Sequence, residues 1–293
     1  MTIVDDGAAR QKRLKDPQRP SAANSGSGAT DTLTLFRDIR GAFQKPGFWL
    51  YGAWIDTSLQ HRSHALGAFW MISGTLVFVI FLGTLYSRVL RENREIYYAH
   101  LAIGYVVWVF MQQLIGSSPR LFKKYQSLIQ NGYINYAGYE LRLVTAQLIN
   151  LSYNLTIVIG VILLTPVHLN WSCLVLLLTF PLVVFVMLGT SFLLSVMGAR
   201  YPDLVELVQT LLRLAFFVTP IIWMPASTGK GALVGAFLYA NPFYYLIEII
   251  RTPIVQGRVP WLEIAVVLAA APLIWLMASL AYRRAKPYIP LWV

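Results

Sequence analysis

The chain has 293 residues, 57% of them hydrophobic and only 13% charged, with a formal net charge of +11. A soluble domain carries about 25% charged residues, and mean hydropathy here is +0.57, which excludes an ordinary soluble enzyme. The single cysteine, Cys173, excludes an intrachain disulfide, and the positive balance reads as Lys and Arg on one side of a membrane rather than as a nucleic-acid surface.

Residues 1–32 are polar and rich in Ala, Ser, Gly and Pro, with Arg10, Lys12, Arg13, Lys15 and Arg19. They hold no apolar core of a signal peptide, and a disordered cytoplasmic tail is expected. Residues 33–62 change character. Leu35, Phe36, Ile39 and Phe43 fall near helical spacing, Pro46-Gly47 breaks the run, and Phe48, Tyr51, Ile55 and Leu59 continue one stripe flanked by Trp49 and Trp54. Asp56 and Arg62 keep this stretch from spanning, so aromatic-rich amphipathic helices in the membrane interface are expected.

From residue 63 onward the chain is one membrane domain. A helix crosses a bilayer with about 20 consecutive apolar residues, and the pattern occurs six times. The spans are expected near Gly67–Tyr86, Tyr98–Ser117, Leu143–Thr165, Trp171–Gly198, Leu204–Met224 and Glu263–Tyr282. A seventh apolar stretch, Gly231–Ile247, is split by Asn241-Pro242. Proline removes a backbone donor and disfavours helix before it, so neither half can span alone. Irregular backbone at membrane depth survives only inside protein or beside water. A re-entrant or interfacial external hairpin over Gly231–Arg251 is therefore expected, and the fold class is all-α.

Charge sets the orientation. With six spans and both termini in the cytoplasm, Arg120, Lys123, Lys124, Arg142, Arg200, Arg283, Arg284 and Lys286 lie inside together with the basic tail, as the cytoplasmic excess of Lys and Arg requires. Seven spans would export Arg283, Arg284 and Lys286.

The chemistry-bearing residues are few. No Ser-His-Asp arrangement, HExxH run, metal-ligand spacing or Walker A loop occurs, so no cofactor site is expected and the chain is not expected to bind ATP in the P-loop manner. Intramembrane charges mark ion and proton paths, and Arg213, midway along the fifth span, is the clear one. It either faces a pathway or a partner and recognises an anionic group, or pairs with Glu206 two turns earlier, or snorkels to the interface. The chain has 9 Trp, 16 Tyr and 15 Phe. Most suit the interfacial belt, but Tyr239, Phe243, Tyr244 and Tyr245, with Asn241 and Pro242, cluster where a channel mouth would be. Arg120, Lys123, Lys124 and Tyr125 form a basic and aromatic stretch that either docks a soluble motor domain or lies on the membrane surface.

Five short stretches carry a resemblance. They are Ser63-His64-Ala65-Leu66-Gly67-Ala68-Phe69-Trp70, Gly104-Tyr105-Val106-Val107-Trp108, Ala199-Arg200-Tyr201-Pro202-Asp203, Thr219-Pro220-Ile221-Ile222-Trp223 and Asn241-Pro242-Phe243. In this order they resemble the transmembrane permeases of type-2 ABC exporters for O-antigen, capsular polysaccharide, teichoic acid and galactan. The resemblance implies a homodimer in the bacterial inner membrane with two copies of an ABC ATPase, and a lipid-linked glycan as cargo. It also implies an interface helix within residues 33–62, a coupling helix within 120–131 and gate helices within 225–251. Two other readings stand beside it: an ABC exporter of drugs or small lipids, and an integral membrane enzyme acting on lipid-linked sugars, for which the close acidic pair Asp203 and Glu206 is thin support.

Overall fold

The structure is a computed structural model that describes residues 34–62, 69–89, 94–132, 135–167, 170–224 and 238–293. The tail at 1–32 lies outside the described residues, as does the first half of the expected hairpin. The described residues are helices joined by short turns, with no strand among them.

The amphipathic segment is two helices. α1 (Thr34–Phe43) and α2 (Gly52–Arg62) are joined through a π-helical turn at Gly47–Tyr51 that begins after Pro46. Leu35, Ala42 and Ala53 face inward, while Phe36, Phe43, Leu50, Tyr51, Trp54 and Leu59 stay exposed. That outward aromatic face is what an interfacial helix presents. Trp49 Nε1 donates to Ala42 O at 3.2 Å and ties the π-helical turn back to α1.

α3 (Phe69–Val89) and α4 (Arg94–Ser117) follow. A 3₁₀ turn at Ser118–Arg120 then leads to two short helices, α5 (Leu121–Lys124) and α6 (Gln126–Gln130). α7 runs Tyr136–Leu164, and α8 (Leu176–Arg200) is entered through a 3₁₀ turn at Trp171–Val175. α9 (Leu204–Val218), α10 (Pro242–Val255), α11 (Trp261–Ala285) and the short α12 (Ile289–Trp292) complete the order.

Among the described residues five stretches are long and apolar enough to cross a membrane: Phe69–Ser87, Ile96–Lys124, Tyr136–Leu164, Trp171–Arg200 and Trp261–Ala285. Two boundaries differ from the sequence reading. The third span begins at Tyr136 rather than Leu143, because Asn135 caps the helix by accepting from Gly138 N at 3.3 Å and nothing breaks it before the apolar run. Glu140 and Arg142 are thereby drawn into the helix. The fifth ends at Val218, because Thr219 is extended ahead of Pro220. Its fifteen residues make about 22 Å of helix, short of the ~30 Å hydrocarbon core. Asn241-Pro242 likewise starts a helix rather than merely splitting an apolar run: Asn241 Oδ1 accepts from Phe243 N at 3.0 Å, and Pro242 sits at the first helical position, where no backbone donor is needed.

α4 is the central mast. Of its apolar span 78% is buried, against 17% for α3. Trp108 on α4 packs on Phe216 of α9 (5.7 Å) and Phe243 of α10 (5.3 Å), while Tyr105 stacks on Phe78 of α3 at 3.8 Å. The most extensive helix pairing is α8 with α11, where Gly189 lets Trp275 approach so closely that an added Cβ would lie 3.1 Å from its indole nitrogen.

Candidate functional site

The candidate residues divide between the two ends of the bundle. At the basic end, Ser118–Gln130 crosses beneath α7 and α8. Arg120 reaches Glu206 of α9 at 3.6 Å, both side chains well exposed. Lys124 reaches Asp56 of α2 at 3.3 Å. Lys123 is exposed and belongs to no ion pair among the described residues. Tyr125 is buried, unlike a docking residue. Its ring stacks on Tyr139 at 5.0 Å and lies under the Arg142 guanidinium, and its hydroxyl donates to Asp56.

Asp56 is the hub of this corner. It accepts from Arg142 Nε at 2.9 Å and Nη2 at 2.7 Å, a bidentate pair that joins α2 to α7. Burial pushes its carboxyl up, but the hydrogen bonds from Arg142 and Tyr125 and the nearby Lys124 and Arg142 charges outweigh that and hold it below the usual carboxylate value. Burial, and then the hydrogen bond to Asp56, push the Tyr125 hydroxyl up. A groove of about 670 Å³ opens beside this corner, with Arg120, Lys123, Pro202, Glu206 and Trp292 on its walls.

At the other end lies a buried ionic cluster that sequence reading missed. Arg251 and Glu248 of α10 form an ion pair with side chains only 2% and 7% exposed. Arg251 Nη1 lies 2.7 Å from Pro220 O and 2.9 Å from His100 Nε2 of α4. Glu248 accepts from Thr252 Oγ1 at 2.6 Å. Gly104 makes room, since a Cβ there would sit 3.2 Å from Arg251 Nη1. Tyr97 Oη donates to Ile222 O at 2.6 Å, and Asn241 Nδ2 donates to Thr219 Oγ1 at 2.7 Å. The backbone after α9 is thus held at Thr219, Pro220 and Ile222 by α4 and α10. Arg251 and Glu248 fall within the segment expected as the external hairpin, and there they are buried on a helix rather than left in an open loop.

Of the gate candidates, Asn241 and Phe243 turn inward as cap and core. Tyr239 is exposed, with Tyr244 at 6.0 Å and Tyr245 next to it at 5.2 Å; Tyr245 Oη donates to Tyr239 O at 2.9 Å. Asn241, Pro242 and Phe243 line a groove of about 530 Å³ against α9, which Tyr244 and Tyr245 do not enter. Arg213 is exposed on α9 among Leu207, Leu211, Leu214 and Phe217, and Glu206 is engaged by Arg120 rather than by it. A wider, almost wholly apolar groove of about 730 Å³ between α3, α4 and α7 holds none of these residues.

The arrangement has a charged corner at one end, a clamped loop with an aromatic patch at the other, and apolar helices between. One relative is the O-antigen export system permease protein RfbA of Myxococcus xanthus, which is 22% identical over 263 residues covering 87% of this chain and 98% of that protein. The family described as ABC-2 type transporter matches residues 52–255, from α2 through α10. With well over half of its length matched, the chain belongs to the ABC-2 type transporter family.

Proposed function

We propose that this chain is the membrane subunit of an ABC exporter that moves a lipid-linked polysaccharide, O-antigen or capsule-like, across the bacterial cytoplasmic membrane. The observation that carries it is the end-to-end similarity to an O-antigen export permease. The basic end faces the cytoplasm, since Lys and Arg favour that side, and both termini lie there. Two copies of the chain pair, and two copies of a separate ATPase supply the energy, because this sequence has no nucleotide-binding loop. The exposed apolar faces of α3 and α9 offer a surface for the second copy. Lys123 and the groove beside it offer a contact for the ATPase, and Tyr239 and Tyr244 offer rings on which sugars stack at the outer mouth. Arg213 would meet the anionic linkage between lipid and glycan.

The test is a strain lacking only this gene. Surface polysaccharide should disappear and lipid-linked glycan should accumulate inside, and both should be restored by the intact gene. Normal surface glycan with no internal pool would remove glycan as the cargo and leave export of a drug or small lipid.

A further inference from the structure

Glu140 is fully buried near the start of α7. Its Oε2 accepts from Ser191 Oγ of α8 at 2.6 Å, and its Oε1 has no hydrogen-bond partner among the described residues. Ser118 Oγ lies 2.9 Å from Ser191 Oγ and 2.6 Å from Leu114 O, and Ser195 Oγ donates to Ser118 O at 2.9 Å. Ser118, Ser191 and Ser195 are all fully buried. One turn along α8, Gly198 lets Pro119 come so close that an added Cβ would lie 2.2 Å from the Pro119 carbonyl oxygen. The start of the basic segment is therefore joined to α8 by hydrogen bonds through two serines and by direct backbone contact, with Glu140 bracing the joint from α7. Its polar ties to α9 are different in kind: among the described residues they are one exposed ion pair, Arg120–Glu206, of a type that contributes little, and, two residues ahead of the segment, a single neutral hydrogen bond from Gln209 Nε2 to Gly116 O at 3.2 Å.

We infer that Ser118–Arg120, the start of α7 and the end of α8 move as one rigid body that carries the ATPase stroke into α8 and α11, with Glu140 as the positioning residue and the slip plane on the α9 side. The inference rests on the proposed ATPase partnership. A buried polar group left half-satisfied needs a reason for its presence. Here the reason is that the carboxyl holds Ser191 where Ser191 can hold Ser118. Networks of this kind act between sites only if both sites bias the same element, and the segment that meets the ATPase is itself part of this one.

The experiment uses the full complex of this chain with its ATPase. In a Cys173→Ser background, Ser118→Cys and Ser191→Cys are joined by oxidation, and closure is read by loss of free thiols. A rigid joint survives this: the cross-linked complex should hydrolyse ATP and export at the rate of the reduced one. Arrest of hydrolysis on cross-linking would overturn the inference, whatever the cargo proves to be. Glu140→Ala should assemble and hydrolyse ATP normally, yet use at least about threefold more ATP per glycan delivered, whereas Glu140→Gln, whose amide oxygen can still accept from Ser191, should restore the ratio. An unchanged ratio in Glu140→Ala would also overturn it. Failure of any ATPase to co-purify with the unmodified chain would remove the partnership itself and the inference with it.

Discussion

Arg251→Met keeps the length of the side chain and removes its charge and its donors. In the structure that leaves the Glu248 carboxylate buried without its cation, and takes donors from Pro220 O and from His100 Nε2. Breaking a buried ion pair by removing one partner costs about 3–5 kcal/mol, because the other charge stays behind unpaired. At ~2 °C per kcal/mol for a chain of this size, the apparent Tm of the purified protein in detergent should fall by about 6–10 °C. Much of that loss comes from the stranded carboxylate, so adding Glu248→Gln should recover a large part of it. Purified protein carrying each single change and both together gives the full cycle in one set of melting curves. A single Arg251→Met variant within about 2 °C of the parent would mean that the pair holds nothing. A double variant as low as the sum of the singles would mean that the two side chains do not act on each other.

Lys123→Glu should weaken recovery of the ATPase in pull-down while the permease inserts normally, since a like charge turned toward a partner mainly costs binding; Lys124→Glu is a poorer probe because it sets an acid beside Asp56. Gly198→Ala forces a methyl into the Pro119 backbone and should destabilise the protein by about 1–3 kcal/mol, read as a lower melting temperature. Asp56 is held below its ordinary value, so its contribution is fully present above about pH 4 and is lost only as pH falls through its lowered folded value. Protease resistance of the α1–α2 segment should accordingly stay level from neutral pH to about 4 and fall below that, and Asp56→Asn should lower it at neutral pH, the two proteins converging once Asp56 is protonated.

About 20 apolar residues in a row have few other uses, so hydropathy located the five long spans, although it set the start of the third at Leu143 rather than Tyr136. The aromatic stripe at 48–59 likewise located the helix Gly52–Arg62 and the π-helical turn before it. What one sequence leaves open is which charges are paired. Glu140 precedes the apolar run by only a few residues and reads as part of a polar loop until the Asn135 cap draws it into α7. Arg251 and Glu248 follow the Asn-Pro break and read as external charges, although their spacing of three places them on one helix face; that spacing was the available signal. Asp56 and Arg142 are 86 residues apart, and nothing local announces that they meet. The shortening of α9 was visible in Thr219-Pro220 but was outweighed by the apolar run around it.

The mast-like burial of α4 imposes an order on how the protein is made. α4 leaves the ribosome second among the spans, yet its packing partners α7 to α10 are still to come. His100 must wait for Arg251, 151 residues later in the chain. At about 5–20 residues per second, that interval lasts about 8 to 30 seconds. For that time a polar imidazole sits in a span with only α3 beside it, and α3 is the least enclosed of the five long spans. Release of α4 into open lipid before α10 arrives would strand that group in hydrocarbon. The insertion machinery must therefore keep α3 and α4 sheltered until the last third of the chain has been translated.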